Sequence, residues 1–248
     1  MLDLFTPQHP EWGVTEAADA LCLPRSSAHD LLATLVETGL LQRSGRNRYR
    51  LGWKLLAMSR TVLTTSDVRT HAQGVMGTLV ERAGATVHLA TLDDGEVICI
   101  DKLGPNEGLP LPASRVGMRL PPHASGVGKV LLAHQPRSVA MHALERCGMH
   151  RYTSRTITSV DALSFELATV RDGGAARDRE ETIEGVCCHA APIVDSGVVV
   201  AAISMSVSSD SDARFAERYA ELAKAAGVHV SRSLQRAAGR QASHALAG

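Results

Sequence analysis

The sequence predicts an α+β chain in two parts. Three observations carry this. Apolar residues recur at helical spacing from Ala28 to Val36, an arginine-rich stretch from Leu40 to Gly52 reads strand–turn–strand, and apolar strands flank Asp93-Asp94-Gly95 and Asp195-Ser196-Gly197. Two short helices and a hairpin therefore open the chain, and an antiparallel sheet flanked by helices follows.

In chain order, Val14–Leu21 places Val14, Ala17, Ala18 and Leu21 on one helical face, with Gly13 or Thr15 opening the turn. Leu23-Pro24 breaks it. A second helix starts near Ser26 or Ser27, either of which can cap it, and carries the stripe Ala28, Leu31, Leu32, Leu35 and Val36 before Gly39 ends it. Two helices across a tight turn form a helix-turn-helix. The hairpin that follows, with its turn at Ser44–Asn47, makes it a winged helix-turn-helix. Trp53–Thr65 returns to helical spacing, and Ser66-Asp67 opens a further helix through Arg82. We place the DNA-binding unit at 1–58, a linker helix at 59–70, a larger domain at 71–240 and a flexible tail at 241–248.

Within the larger domain, Thr86–Leu92 and Glu96–Leu103 read as a hairpin around Asp93-Asp94-Gly95. The segment 105–122 is a Gly- and Pro-rich loop with one short strand. Helices are expected at 125–134, 137–147 and 160–171, strands at 186–194 and 198–207, and a closing helix at 210–238.

The chain has 248 residues, zero formal net charge and 3% aromatic residues, so its core must come from Leu, Val, Ile, Ala and Met. The zero charge hides a basic run: Arg43, Arg46, Arg48, Arg50, Lys54 and Arg60 occur with no acid between them. Five cysteines without a CxxC spacing argue against a disulfide framework or a zinc ribbon. No apolar run approaches a membrane span, and the N-terminus lacks the basic start and apolar core of a secretory signal, so a cytoplasmic protein is expected.

The second helix fits the major groove of B-DNA, with Arg25, Ser26, Ser27, His29 and Asp30 facing it. Arg46, Arg48 and Arg50 of the wing reach phosphates or the minor groove. Asp30 is repelled by phosphates; it can accept a hydrogen bond from a cytosine amino group or pair with a neighbouring arginine.

The segments LPRSSAHDLLATLVETGLL, NRYRLG, LPPHASGVGKVLLA and GVCCHAAPIVDSGVVVAAISMSVS resemble the IclR family of transcriptional regulators, across nearly the whole chain. The resemblance implies a GAF-like effector domain after the linker helix, operator DNA as partner, homodimers that can pair into dimers of dimers, no cofactor, and a small organic acid or aromatic catabolite as effector. It also implies a pocket. Gly126 and Val127 open the ASGVGK helix and present N–H groups to a carboxylate. Asp178 lies in GAARDREE, Cys188 precedes the Ala-Ala-Pro strand, Ser204 and Ser206 share one strand face, and Leu109 and Leu120 supply apolar walls. Three departures stand out. Only Met1–Phe5 remain of the family's first helix, so the start lies late or the helix is curtailed. Asp30 stands where arginine is common, and Ala175 where an aromatic is common.

Other chemistries are weaker. Cys187 and His189 face one side of a strand and Cys188 the other, so a metal needs further ligands such as Cys99 or His123. Ser125 beside His123 suggests a hydrolase, but no Gly-x-Ser-x-Gly elbow occurs. ASGVGK lacks the glycine spacing and Lys-Ser/Thr pair of a phosphate loop. Ser204 and Ser206 can merely satisfy backbone groups, and Asp178 can pair with Arg177 or Arg179. The principal alternative to a regulator is a ligand-binding or protein-docking module that has lost DNA binding; an enzyme built on the larger domain comes third.

Overall fold

The structure is a computed structural model that describes residues 1–104 and 114–245, with side chains described to residue 239. The chain divides into two compact units, Met1–Thr65 and Ser66–Gly248.

The first unit opens with a 3-10 turn, Leu2–Leu4, and then β1 (Glu11–Gly13), α1 (Val14–Ala20), α2 (Arg25–Glu37), β2 (Leu41–Gly45), β3 (Arg48–Leu51) and α3 (Lys54–Thr64). The strands form an antiparallel sheet in the order β1-β3-β2. β1 was not expected: three residues carry no readable period, and only pairing with β3 makes them a strand. Nor does a serine cap α2. Pro24 occupies the cap position without a side-chain bond, and the helix begins at Arg25, with Ser26 and Ser27 already inside it. Proline fixes its own φ near −65°, which suits the approach to a first turn. Gly39 ends α2 at φ +76°, a left-handed conformation that glycine adopts without Cβ strain. Phe5, Ala17, Leu32, Leu41 and Tyr49 form the core, while Leu31 stays 45% exposed at the edge of its stripe.

The second unit comprises α4 (Asp67–Ala83), β4 (Thr86–Asp93), β5 (Glu96–Leu103), β6 (Arg119–Leu120), α5 (Gly126–Ala133), α6 (Arg137–Cys147), α7 (Val160–Gly173), β7 (Ala176–Arg179), β8 (Val186–Asp195), β9 (Val198–Ser208) and α8 (Ser209–Ala245). Six antiparallel strands run in the order β6-β5-β4-β9-β8-β7. β7 was missed because ARDR looks polar throughout, although Ala176 and Asp178 are both buried. The helical spacing expected for 210–238 extends further in α8, which runs through Gly239 to Ala245. Alanine-rich sequence favours continuation, and one glycine costs only about 1 kcal/mol.

Strand alternation divides the core. Val87, Leu89, Ile203, Met205 and Val207 pack on α4 and α8 with Met76, Leu79, Tyr219 and Val230. On the opposite face Ala90, Ala190 and Ala202 meet α5, α6 and α7 through Val127, Leu131, Leu144 and Leu163. The two faces differ in bulk. β9 offers Ile203, Met205 and Val207 to one side but Ala202, Ser204 and Ser206 to the other. Small side chains opposite the start of α5 leave space there.

Candidate DNA interface and effector cavity

In the first unit, Arg25, Ser26, Ser27, His29 and Asp30 are all exposed along the N-terminal half of α2, while Ala28 and Leu32 point into the core. Burial of one stripe thus leaves a polar face free at the end that a groove would receive. Among the described residues Asp30 pairs with no arginine; its Oδ1 lies 3.4 Å from His29 Nδ1. Arg46 and Arg50 are exposed on the wing. Arg48 differs. Its guanidinium donates to both carboxylate oxygens of Glu16 at 2.8 Å and lies 3.9 Å from Glu11. Glu16 also accepts from the Gly13 N–H, and this bond first, with Arg48 second, holds its carboxyl below the usual range. Arg48 therefore fastens the wing to α1. Lys54, part of the basic run, caps α2 instead, donating to the Thr38 carbonyl at 2.7 Å.

In the second unit, a cavity of about 300 Å³ lies between the start of α5 and the small-residue face of the sheet. Leu120, Gly126, Val127, Asp178, Cys188, Ser204 and Ser206, all singled out from the sequence, line it together. Leu109 lies outside the described residues. The strand register explains the convergence: Asp178 pairs with Cys188, and Cys188 with Ser206, placing the three in one row on one face. His88 pairs with Ser204 in the neighbouring row.

Gly126 and Gly128 let α5 begin this close. A Cβ on Gly126 would meet that of Ala190 at 3.2 Å, and one on Gly128 would sit 2.5 Å from the Pro122 carbonyl oxygen. Ser125 caps the helix by accepting from the Gly128 N–H at 3.1 Å. The N–H groups of Gly126 and Val127 precede the first intrahelical bond and stand at the cavity wall, where the helix dipole favours negative charge.

Asp178 supplies the acidic end. It is 2% exposed; the Glu181 N–H donates to its Oδ1 at 2.7 Å, and the Thr182 hydroxyl to its Oδ2 at 2.9 Å. Burial outweighs those bonds and pushes its pKa up to about 6. At the other side of the cavity, His88 Nε2 lies 2.9 Å from the Ser114 hydroxyl, and burial, with a smaller effect from Lys102, lowers its pKa to about 4. His88 is thus a neutral imidazole at pH 7, able to donate at one nitrogen and accept at the other. Ser206 bridges the two sides: its hydroxyl lies 3.2 Å from Cys188 Sγ and 3.5 Å from His88 Nδ1. Burial holds the Cys188 thiol well above its ordinary pKa, so it is a neutral wall and not a nucleophile.

Sequence reasoning missed His88, Tyr152 and Thr182 among the lining residues. A polar residue inside the apolar run TVHLATL was a usable signal for His88. Tyr152 and Thr182 sit in irregular segments without one. Cys187 and His189 turn to the opposite face, where His189 Nε2 lies 2.6 Å from Asp212 Oδ1 and Arg177 pairs with the same carboxylate. Among the described residues no group of three metal-ligating side chains converges, and no helix is long and apolar enough to cross a membrane.

A winged helix-turn-helix joined to an α+β unit with a ligand-sized cavity is the architecture of a DNA-binding regulator that senses a small molecule. Residues 1–45 match the IclR helix-turn-helix domain, and residues 60–232 match the bacterial transcriptional regulator IclR C-terminal family. The chain belongs to the IclR family of transcriptional regulators. It is 37% identical over 240 residues to the HTH-type transcriptional regulator XynR of Escherichia coli (strain K12), covering 94% of each chain. It is 32% identical to the transcriptional repressor IclR of the same organism, over 91% of this chain and 84% of that one. A crystal structure of an IclR homolog from Microbacterium hydrocarbonoxydans complexed with 4-hydroxybenzoate aligns with a TM-score of 0.76 at 28% identity, covering 95% of this chain and 96% of that one.

Proposed function

We propose that this regulator binds a small carboxylate, an organic acid or an aromatic acid, in the cavity at the start of α5, and that the bound acid controls its affinity for operator DNA. The observation that carries the reading is the convergence of the free N–H groups of Gly126 and Val127 with Asp178, Cys188, Ser204 and Ser206 around one cavity. The ligand carboxylate sits at the helix N-terminus. Leu120 and Val127 cover its apolar body, and the hydroxyls of Ser204 and Ser206 orient it. The 4-hydroxybenzoate bound by the Microbacterium homolog has this chemistry. On the DNA side, Arg25, Ser26, Ser27, His29 and Asp30 face the major groove, and Arg46 and Arg50 the flanking phosphates, with Arg48 holding the wing.

The working form is a dimer that reads two half-sites. Its support is α3: not one of its residues is buried, and Leu56 and Val62 are 66% and 68% exposed. An apolar helix left open in this way is the surface a second copy would cover. The acid then favours one arrangement of paired recognition helices, and a differential affinity of ~1–3 kcal/mol changes operator binding about five- to hundredfold.

Calorimetric titration with 4-hydroxybenzoate and a panel of small carboxylates tests the reading, alongside operator binding with and without each acid. Saturable binding that weakens in Ser206→Ala and changes DNA affinity supports it. Binding that is indifferent to Ser206→Ala and Ser204→Ala, or that leaves DNA affinity unchanged, overturns it.

A further inference from the structure

Lys129 is the largest fully buried side chain in the molecule, with 0% of its surface exposed among the described residues. It belongs to α5, one turn below the N–H groups at the cavity wall, but does not itself line the cavity. A lysine is rarely buried unless paired. Here all three ammonium protons find acceptors: Glu181 Oε1 at 2.5 Å, the Arg177 carbonyl at 2.9 Å and Glu166 Oε1 at 3.2 Å. One cation thus ties α5 to α7, to β7 and to the segment after β7.

That segment builds the acidic end of the cavity. Glu181 accepts from Lys129 through Oε1, which also receives the Arg179 N–H, while the Glu181 N–H donates to Asp178. Thr182, the next residue, donates to the other oxygen of Asp178. Thr153 and Thr156 hold the Glu181 carbonyl from a further loop, at 3.5 Å and 2.6 Å. Lys129 therefore reaches the cavity edge from two sides, through the Arg177 carbonyl next to Asp178 and through Glu181, whose N–H holds Asp178 and whose neighbour Thr182 donates to it.

We propose that Lys129 is a positioning residue of the effector site: it anchors Glu181 and the Arg177 carbonyl, and through them it fixes the Asp178–Thr182 edge that faces the ligand. The inference rests on the cavity being the effector site, but the anchoring itself does not need a ligand. The charges around Asp178 give it a distinctive signature. Against burial, which raises the pKa of its carboxyl, the Glu181 N–H bond lowers it, while the smaller effects of charge oppose each other, Glu181 raising it and Lys129 lowering it. Cys188 faces it from β8, neutral at these pH values. His123 senses both Lys129 and Glu181 from the segment before α5, and burial keeps its pKa low.

The test compares the full chain with Lys129→Met, Glu181→Gln and Asp178→Asn. Amide exchange across 178–183 is expected to speed up about tenfold or more in Lys129→Met while β9 keeps its protection. Titration of the Asp178 carboxyl is followed by carbon NMR and assigned by its loss in Asp178→Asn. Its midpoint is expected to rise in Lys129→Met and to fall in Glu181→Gln, because the two substitutions remove charges of opposite sign. A residue that only fills space would move neither midpoint. Unchanged exchange across 178–183 in Lys129→Met, or a midpoint that stays where it is in that variant, overturns the proposal. Should Lys129→Met fail to fold, Glu181→Gln carries the test, since it leaves Lys129 with Glu166 and the Arg177 carbonyl; unchanged exchange across 178–183 in that variant overturns the proposal. With 4-hydroxybenzoate as probe, Lys129→Met is expected to bind about tenfold more weakly. If the unmodified chain does not bind the probe, the carboxylate reading fails for that acid, while exchange and titration still decide the role of Lys129.

Discussion

Arg48 on the wing grips Glu16 on α1 through both carboxylate oxygens, at 2.8 Å each. The wing arginines therefore divide by role. Arg46 and Arg50 are exposed and are the proposed phosphate contacts, whereas Arg48 already bonds Glu16 through Nη1 within the unit. Arg46→Ala and Arg50→Ala are each expected to weaken operator binding and to flatten the dependence of log affinity on log salt by about one. Arg48→Ala is expected to leave that slope unchanged while lowering the melting temperature. DNA titrations across a salt series separate the two classes; an equal loss of slope for all three would show Arg48 leaving Glu16 for DNA.

Gly128 and Gly74 make a matched pair for close packing. A Cβ on Gly128 would fall 2.5 Å from the Pro122 carbonyl and 2.7 Å from Ser125 Oγ, the cap of α5, whereas one on Gly74 in α4 would meet nothing within 4 Å. Gly128→Ala must push α5 off its cap and is expected to cost about 1–3 kcal/mol. Gly74→Ala should instead stabilise the chain by about 0.4–1 kcal/mol, by restricting the unfolded state and favouring the helix. Denaturant unfolding of both variants gives the two signs directly.

The proposed dimer packs through the apolar face of α3. Leu56→Lys with Val62→Lys places two charges where a partner's α3 must pack, at positions that cost little in a single copy because they are already 66% and 68% exposed. The double variant is expected to sediment as a smaller species and to lose most operator affinity, since one half-site alone supplies half the contacts. Circular dichroism should be unchanged. An unaltered sedimentation coefficient would move the interface elsewhere.

What the sequence revealed, and what it hid, follows from how each feature is encoded. Glu96–Leu103 and Arg137–Cys147 were readable to the residue because a strong turn or a clear helical period bounds them. β1 was not, because its partner β3 lies far along the chain, and β7 was not, because Asp178 is a charge on a buried face. Asp178, Ser204 and Ser206 could be assigned through the family resemblance, and strand alternation put the two serines on one face. Lys129 could not: a lysine reads as solvent-exposed, and its three acceptors lie 37, 48 and 52 residues away along the chain. His88 was legible only as an oddity in an apolar strand. Its partner Ser114 lies 26 residues further along the chain.

His88 and Asp178 also oppose each other in acid, and the signs predict a masked pH dependence. His88 titrates near 6.5 in the unfolded chain and at about 4 in the fold. Over that interval the unfolded chain binds the extra proton, so the stability His88 contributes is full above pH 6.5 and is lost as pH falls towards 4. The lowered pKa values of His123 and His189 act in the same direction. Asp178 runs the other way. Its pKa is raised from 3.8 to about 6, so the native state binds the extra proton and stability is gained as pH falls from 6 towards 3.8. Each shift corresponds to roughly 3 kcal/mol at most, at about 1.4 kcal/mol per pH unit, so the two largely offset below pH 6. Removing one should expose the other. Unfolding free energies measured at pH 7.5 and pH 4.5 are expected to fall more steeply with acid in Asp178→Asn than in the unmodified chain, and to fall less, or rise, in His88→Gln. If both variants kept the unmodified slope, neither group would be titrating from its buried position.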